Sequence, residues 1–222
     1  MFTGIVEELG RVRHCRRNGN GYDLSIECQE VLKGTALGDS IAVNGVCLTV
    51  TEMDNHGFIS GLAPETRKRT NLESLSAGSM VNLERSVTPT TRMGGHFVQG
   101  HVDATGEIRE FRRDEDALWV SIGAAESLMR YVVVKGYITL DGTSLTVVDV
   151  GRDWFSVTLV AYTQAHIIMP SKRVGDTINI EVDVLGKYVE RLLQTSEQQY
   201  NTDPENKRSP ISAEFLKENG YE

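Results

Sequence analysis

Residues 43–50, VNGVCLTV, recur 97 residues later as residues 140–147, LDGTSLTV. Each copy reads as an apolar strand, an Asn-Gly or Asp-Gly pair, and a second strand in which apolar and polar residues alternate. These two pairs are preferred in two-residue hairpin turns because both central residues need positive φ. The two stretches therefore predict equivalent β-hairpins in two halves of the chain.

The repeat extends to both sides of these hairpins. TGIVEELG (3–10) matches QGHVDATG (99–106) at an offset of 96, and residues 78–84 match residues 175–181 at an offset of 97. Strand signals follow one another through both halves with glycines between them, and an internal repeat of this kind indicates a duplicated domain. The sequence predicts an all-β fold of two tandem antiparallel barrels, each of about six strands, over residues 1–95 and 96–184.

Three segments lie outside the repeat. SVTPTTRMGG (86–95) contains a proline and a Gly-Gly pair, and it is the natural boundary between the barrels. Residues 185–193 predict an amphipathic helix, which packs either on its own domain or on another subunit. Residues 194–222 are polar and predict a partly mobile tail, with a last short helix over residues 212–219 that Ser212 caps and Gly220 stops.

Composition disfavours several classes of function. The chain of 222 residues has 23 basic and 31 acidic side chains, a net charge of −8, and no basic cluster that indicates nucleic-acid binding. No apolar run reaches the length of about 18 residues that a membrane helix needs, and the first residues do not resemble a signal peptide. Cys15, Cys28 and Cys47 all lie in the first half, so free thiols and a cytoplasmic location are expected. No Cys or His spacing predicts a metal site.

The chemistry is expected where the two halves differ. Strand alternation places Cys47 and Thr49 on one face of their strand, and Ser144 and Thr146 on the equivalent face of the other. Outside these strands, Ile5 in the first half corresponds to His101 in the second. Two equivalent polar faces with different chemical groups suggest two pockets for two copies of one ligand, one acting as donor and the other as acceptor.

Simpler interpretations of the same residues remain open. Asp141 is a favoured turn residue, and Cys47 has the pattern of an ordinary buried thiol. The hydroxyl residues of both strands fit a solvent-facing side, Lys135 fits an exposed edge charge, and Phe2 fits a core position. His101 at a strand start suits either a structural role or proton transfer near neutral pH.

Several longer motifs resemble one known family. They are MFTGIVEE (1–8), the hairpins VNGVCLTVTE (43–52) and LDGTSLTVVD (140–149), APETRKRTNL (63–72), VNLERSV (81–87) and GGHFVQGHVD (94–103). Together they resemble riboflavin synthase over about residues 1–193. The resemblance implies two six-stranded antiparallel Greek-key barrels that each hold one lumazine, followed by a C-terminal helix that joins three chains into a homotrimer.

The resemblance also implies a reaction. Two molecules of 6,7-dimethyl-8-ribityllumazine exchange a four-carbon unit and give riboflavin and 5-amino-6-ribitylamino-uracil, without a cofactor or metal. The reacting pair is expected between the first barrel of one subunit and the second barrel of its neighbour. An association with lumazine synthase is a further possible partnership.

Site residues follow from the same resemblance. His101, Ser144 and Thr146 are assigned to proton transfer and anion stabilisation in the second pocket, and Cys47, Phe2 and Thr49 to the first. Asp141 and Lys135 are expected to orient groups of the substrate, and Asp183 to bind ribityl hydroxyls. The remaining expected ligand contacts are Gly4, Ile5, Val6, Gly61, Leu62, Ala63, Thr66, Gly100, Val102, Leu159, Val160, Ala161 and Thr163.

A second class of function is a carrier that binds lumazine or flavin without catalysis, because antenna proteins share the double barrel and the opening motif. A third is an interaction module in which the two repeats merely pair. The retained His101 and Thr146, and the chemically different polar faces, favour the enzyme.

Overall fold

The structure is a computed structural model that describes residues 1–202 and 213–220. The chain divides into two compact units, Met1–Val184 and Leu185–Glu222. The first unit contains two closed β-barrels, and the second contains helices. No helix in the described part of the chain is both long and apolar enough to cross a membrane.

The first barrel closes in the order β1-β2-β5-β4-β3-β6, and every neighbouring pair is antiparallel. A short helix, α1 (Pro64–Arg69), and two 3₁₀ turns, Glu30–Leu32 and Asn71–Ser74, connect its strands. The strands are β1 (Glu8–Asn18), β2 (Gly21–Glu27), β3 (Ser40–Val43), β4 (Val46–Asp54), β5 (Gly57–Leu62) and β6 (Met80–Arg85).

The second barrel repeats this order strand for strand as β7-β8-β11-β10-β9-β12. Helices α2 (Glu126–Met129) and α3 (Ala161–His166) and a 3₁₀ turn at Met169–Ser171 occupy its connections. The strands are β7 (Ala104–Asp114), β8 (Ala117–Gly123), β9 (Tyr137–Leu140), β10 (Thr143–Val150), β11 (Trp154–Leu159) and β12 (Thr177–Val182). The predicted all-β fold of two tandem six-stranded barrels is confirmed.

The two predicted hairpin turns are also present. Asn44 and Gly45 have φ of 46° and 77°, and Asp141 and Gly142 have φ of 44° and 81°. Positive φ at both central residues matches the right-handed twist of the flanking strands. Asn and Asp tolerate this conformation because their short side chains bond to nearby backbone groups.

Each barrel has its own apolar core, but the segments that lead into the barrels are exchanged. Val6, which precedes β1, packs against the core of the second barrel, and Val102, which precedes β7, packs against the core of the first. Phe2 and Val98 form a two-way backbone bridge between these segments, with N···O distances of 2.7 and 3.1 Å. Packing therefore does not follow the sequence boundary between residues 95 and 96.

A buried polar network joins the barrels around the two hairpin turns. The side-chain amide of Asn82 donates to the Asp141 carbonyl, and that of Asn179 donates to the Asn44 carbonyl, both at 2.8 Å. Asn71 also donates its side-chain amide to Oδ1 of Asp141 at 2.6 Å, a bond that Ile168, the equivalent residue of the second half, has no side-chain amide to make. Because buried polar groups are costly when unpaired, this network fixes how the barrels meet.

The C-terminal unit begins with α4 (Val184–Thr202), which is longer than the helix predicted over residues 185–193. Residues 194–202 contain three Gln and one Glu, which are good helix formers, and neither glycine nor proline occurs between Gly186 and Pro204. The predicted last helix is present as α5 (Ala213–Glu218), followed by Gly220 at a φ of 80°. The middle of the predicted tail, residues 203–212, lies outside the described residues.

The ion pair of Asp141 gives a test of the buried polar network. The Lys172 ammonium lies 3.1 Å from Oδ2 of Asp141, a side chain that is only 1% exposed. Burial raises the pKa of Asp141, and the Lys172 ammonium opposes that shift. Lys172→Met leaves a buried carboxylate without its counter-charge, so the free energy of unfolding should fall by about 3–5 kcal/mol in urea titrations.

The matched control for this prediction is the double variant Lys172→Met with Asp141→Asn. Because it removes both charges together, it should recover most of the lost stability. Equal losses in the single and the double variant contradict the charge-pair explanation.

Candidate active site

The two polar faces expected from the sequence lie on the outside of the two barrels. On β4, Val46, Leu48 and Val50 are buried, whereas Cys47 is half-buried and Thr49 is exposed. The second face has the same alternation on β10, where Ser144 is half-buried and Thr146 is exposed. Equivalent backbone thus presents a thiol on one barrel and a hydroxyl on the other.

Strand register identifies the neighbours of these residues, of which only Gly61 is among the contacts expected from the sequence. Ser40 on β3 is directly opposite Thr49, and Tyr137 on β9 is directly opposite Thr146. On the other side, Val50 pairs with Ser60, which makes Gly61 the outward neighbour of Thr49. In the second barrel Val147 pairs with Val157, so Thr158 is the outward neighbour of Thr146. The first face therefore carries Ser40, Thr49 and Gly61, and the second carries Tyr137, Thr146 and Thr158.

The exchanged segments complete the two faces. The Cys47 amide donates to the Gly100 carbonyl at 2.9 Å, and the Ser144 amide donates to the Gly4 carbonyl at 2.7 Å. His101 and Ile5, which follow these glycines, are both exposed. The family resemblance groups His101 with Ser144, whereas these contacts place the His101 segment beside Cys47 and the Ile5 segment beside Ser144. The repeat alone did not show that the segments are exchanged.

Gly4 and Gly100 allow the exchanged segments to lie unusually close to β10 and β4. Gly4 and Gly100 have φ of 77° and 79°. A Cβ atom at Gly100 would lie 2.7 Å from Cβ of Cys47 and 2.8 Å from the Phe2 ring, and one at Gly4 would lie 2.6 Å from Cβ of Ser144. Any larger residue there must push the segment away from its strand.

Phe2 and Asp141 lie in the interface between the barrels. Phe2 is fully buried with Ala42, Val98 and Cys47, so it forms the wall behind Cys47. Asp141 is bound to Asn71, Asn179 and Lys172. In this chain both residues support the faces from behind, and neither side chain is open to solvent.

The remaining expected contacts lie where β5 and β11 lead into α1 and α3. Leu62 and Leu159 are buried, whereas Ala63, Val160 and Ala161 are exposed. Thr66 and Thr163 are half-buried at equivalent positions of the two short helices. The structure thus brings both sets to the same end of their barrels.

Lys135 occupies a position where glycine is the ordinary choice. It has a φ of 66°, and the equivalent residue of the first barrel is Gly38, with a φ of 92°. The Lys135 amide donates to the Val147 carbonyl on β10, and the Gly38 amide donates to the Val50 carbonyl on β4. A lysine at such a φ is strained, and strain of this kind clusters at functional sites.

His96 is not among the site residues expected from the sequence, although it lies in the motif GGHFVQGHVD (94–103). Its Nδ1 lies 2.7 Å from Oγ of Ser144, and its Nε2 lies 3.1 Å from Oγ1 of Thr139. The ring stacks on Tyr137 at 5.1 Å. Burial lowers the pKa of His96, and the charge of Asp183 partly opposes that effect. A neutral imidazole therefore fixes the Ser144 hydroxyl, and the Asp183 carboxylate belongs to the same surroundings.

Two cavities on the surface differ in their relation to these residues. One, of about 790 Å³, lies beside the exchanged segment and the 86–95 connection, and its walls include Thr3, Ile5 and Ser40. The other, of about 440 Å³, lies on the outside of the second barrel against Trp119 and Trp154. Only the first cavity contains a residue expected at the site, Ile5.

Two closed barrels with exchanged entry segments and one polar outward face each define a class of double-barrel binding protein. A family model described as the lumazine binding domain matches the chain twice, over residues 3–86 and 99–183. Among solved structures, LumP complexed with 6,7-dimethyl-8-(1'-D-ribityl) lumazine has a TM-score of 0.74. It is 21% identical and covers 82% of this chain and 99% of that chain, which shows a shared fold.

Curated relatives are closer in sequence. Riboflavin synthase of Schizosaccharomyces pombe is 48% identical over 196 residues, covering 87% of this chain and 94% of its own. Riboflavin synthase of Bacillus subtilis is 41% identical over 222 residues, covering all of both chains. Riboflavin synthase of Mycobacterium bovis is 48% identical and covers 88% of this chain and all of its own. The chain belongs to the riboflavin synthase family.

The contacts of His96 give a prediction about the second face. His96→Phe keeps an aromatic ring for Tyr137 but leaves the buried Thr139 hydroxyl and the Ser144 hydroxyl without this partner. We expect a loss of about 1–3 kcal/mol in the free energy of unfolding, measured by urea denaturation. Tyr137→Leu is the control, because it removes the stacked pair and leaves both hydrogen bonds, and it should cost less. A His96→Phe protein as stable as the unaltered chain would contradict this assignment.

Proposed function

We propose that the chain catalyses the riboflavin synthase reaction. Two molecules of 6,7-dimethyl-8-ribityllumazine exchange a four-carbon unit, which gives riboflavin and 5-amino-6-ribitylamino-uracil and makes the enzyme a transferase. The observation that carries the proposal is identity of 40–48% to riboflavin synthases over most or all of the chain. The proposed chemistry needs no cofactor, because one substrate molecule supplies the carbon unit that the other accepts.

The pair of faces supports a reaction between two like molecules. Equivalent backbone on β4 and β10 offers two similar binding surfaces, and Cys47 and Ser144 make their chemistry different. A dismutation requires this combination, since one substrate must become a donor and the other an acceptor. Holding two substrates in a reactive geometry can lower a barrier by about 7–11 kcal/mol.

We assign roles according to the observed neighbours. His101 serves in proton transfer beside Cys47 and Thr49 at the first face, and Ser144 and Thr146 bind and polarise the substrate at the second. The methyl proton that must leave is acidic because its anion is delocalised over the ring, so a modest base and a few hydrogen-bond donors suffice. Lys135 and Asp183 are proposed to orient the substrate or its ribityl chain at the second face, and Thr66 and Thr163 to contact ligand in each barrel.

We further propose that three chains assemble and that each reaction centre combines the first barrel of one subunit with the second barrel of another. The support is the resemblance together with the exposed apolar side of α4, where Tyr188, Val189 and Leu193 are each more than half exposed. A cytoplasmic location is proposed because all three cysteines are free thiols, as is usual in a reducing compartment. Association with lumazine synthase stays a prediction.

The decisive experiment mixes purified protein with 6,7-dimethyl-8-ribityllumazine in the presence of a chelator and follows riboflavin by its long-wavelength absorbance. One riboflavin formed for two lumazines consumed establishes the reaction. Tight binding with an unchanged lumazine spectrum identifies a carrier instead. LumP, whose solved complexes contain ribityllumazine, riboflavin or flavin mononucleotide, makes the carrier the relevant alternative.

Proton transfer by His101 predicts a selective kinetic defect. His101→Gln should lower kcat by about 100-fold or more while KM for the lumazine changes little, because an imidazole acting in the transition state contributes little to ground-state binding. The control is His56→Gln, the same change at an exposed histidine in the turn between β4 and β5. Parallel losses in kcat and in binding assign His101 a structural role.

Assembly through α4 predicts the result of a truncation. A chain ending at Val184 retains the compact double-barrel unit but lacks α4, so it should elute as a smaller species and form little riboflavin. The control ends at Thr202 and keeps α4, and it should retain assembly and activity. Size-exclusion chromatography with light scattering measures the mass, and a fully active monomer refutes the intersubunit reaction centre.

A further inference from the structure

Two buried glutamates hold the exchanged segments in the same way. Glu84, at the end of β6, accepts hydrogen bonds from the Thr3 amide at 2.6 Å, the Thr3 hydroxyl at 2.8 Å and the Gly4 amide at 2.9 Å. Glu181, at the equivalent place on β12, accepts from the backbone amides of Gln99, Gly100 and His101 at 2.6, 3.0 and 2.9 Å. Their exposed fractions are 5% and 3%.

Each carboxylate is linked to one reaction face through a single glycine. The Gly100 amide donates to Glu181, and its carbonyl accepts from the Cys47 amide. In the same way, the Gly4 amide donates to Glu84 and its carbonyl accepts from the Ser144 amide. Hydrogen bonds in series polarise one another, so each carboxylate fixes both the segment and the strand that carries the reactive side chain.

Burial makes an ionised carboxylate energetically unfavourable at both positions. Burial raises the pKa of Glu84 to about 7, against the hydrogen bonds from Thr3 and Gly4, which lower it. Burial likewise raises the pKa of Glu181. What the carboxylate provides is two oxygen acceptors in one plane, which together satisfy three donors in each segment. A glutamine at the same place has one oxygen and directs an N–H group at a backbone donor.

The two clamps differ in what they hold. Glu181 binds the amide of His101 itself, whereas the amide of Ile5 donates to the Thr3 hydroxyl at 3.2 Å and reaches Glu84 only through it. We propose that Glu181 is the positioning residue for His101 and Cys47, and that Glu84 is its counterpart for Ile5 and Ser144. This proposal rests on the proposed function for its kinetic consequences, but its geometric content is independent of turnover.

A double-mutant cycle in the full-length protein tests the assignment. Glu181→Gln should lower kcat by about tenfold or more, because a small misplacement of a reactive group is costly. In a His101→Gln background the same change should lower kcat by a clearly smaller factor, because of the two groups that Glu181 positions only Cys47 remains. Glu84→Gln is the matched control and should retain its full effect in that background. Equal factors for Glu181→Gln in both backgrounds overturn the proposal.

A second measurement does not depend on activity. The ring signals of His101 in NMR spectra are identified by their loss in His101→Gln, and they should shift in Glu181→Gln but stay unchanged in Glu84→Gln. If Glu181→Gln does not fold, Glu181→Asp takes its place, since it retains the charge and withdraws the oxygens by one methylene. Unchanged His101 signals refute the proposal, whereas an unaltered protein without riboflavin formation refutes only the proposed function.

Discussion

The exchange of entry segments between the two barrels is the constraint on which the site depends. Phe2 and Val98 form an antiparallel backbone bridge. After this bridge each segment packs against the core of the other barrel before the first strand of its own barrel begins. Neither barrel therefore has a complete outward face by itself. Cys47 meets a segment of the second half, and Ser144 meets a segment of the first. The two copies of the duplicated domain thus form one compact unit.

Much of the fold was predictable because its signals are local. Asn44-Gly45 and Asp141-Gly142 require positive φ, and the alternation that follows them determines which side chains face the core. The repeat then made the second barrel a consequence of the first. The helix boundary at residue 193 was less predictable, because polar residues with good helix propensity extend α4 to Thr202 without an amphipathic signal.

The grouping of the site residues was not predictable in the same way. Val6 and Val102 have an apolar pattern that either barrel core satisfies, so the sequence does not say which one they enter. Ser40, Tyr137 and Thr158 become neighbours of the expected threonines only through strand register, which slips in both barrels just after β4 and β10 pass the face. His96 lies before the aligned stretches TGIVEELG (3–10) and QGHVDATG (99–106), and comparison of the two halves therefore could not mark it.

The two faces share the same backbone contacts but carry different side chains. The two carboxylate clamps, the two glycines and the two crossing hydrogen bonds are repeated, which gives the two faces the same backbone arrangement. The differences are confined to side chains: a thiol against a hydroxyl, His101 against Ile5, and a strained Lys135 against Gly38. Because identical molecules cannot differentiate themselves, the proposed reaction requires the protein to assign donor and acceptor. We propose that these few side chains make that assignment.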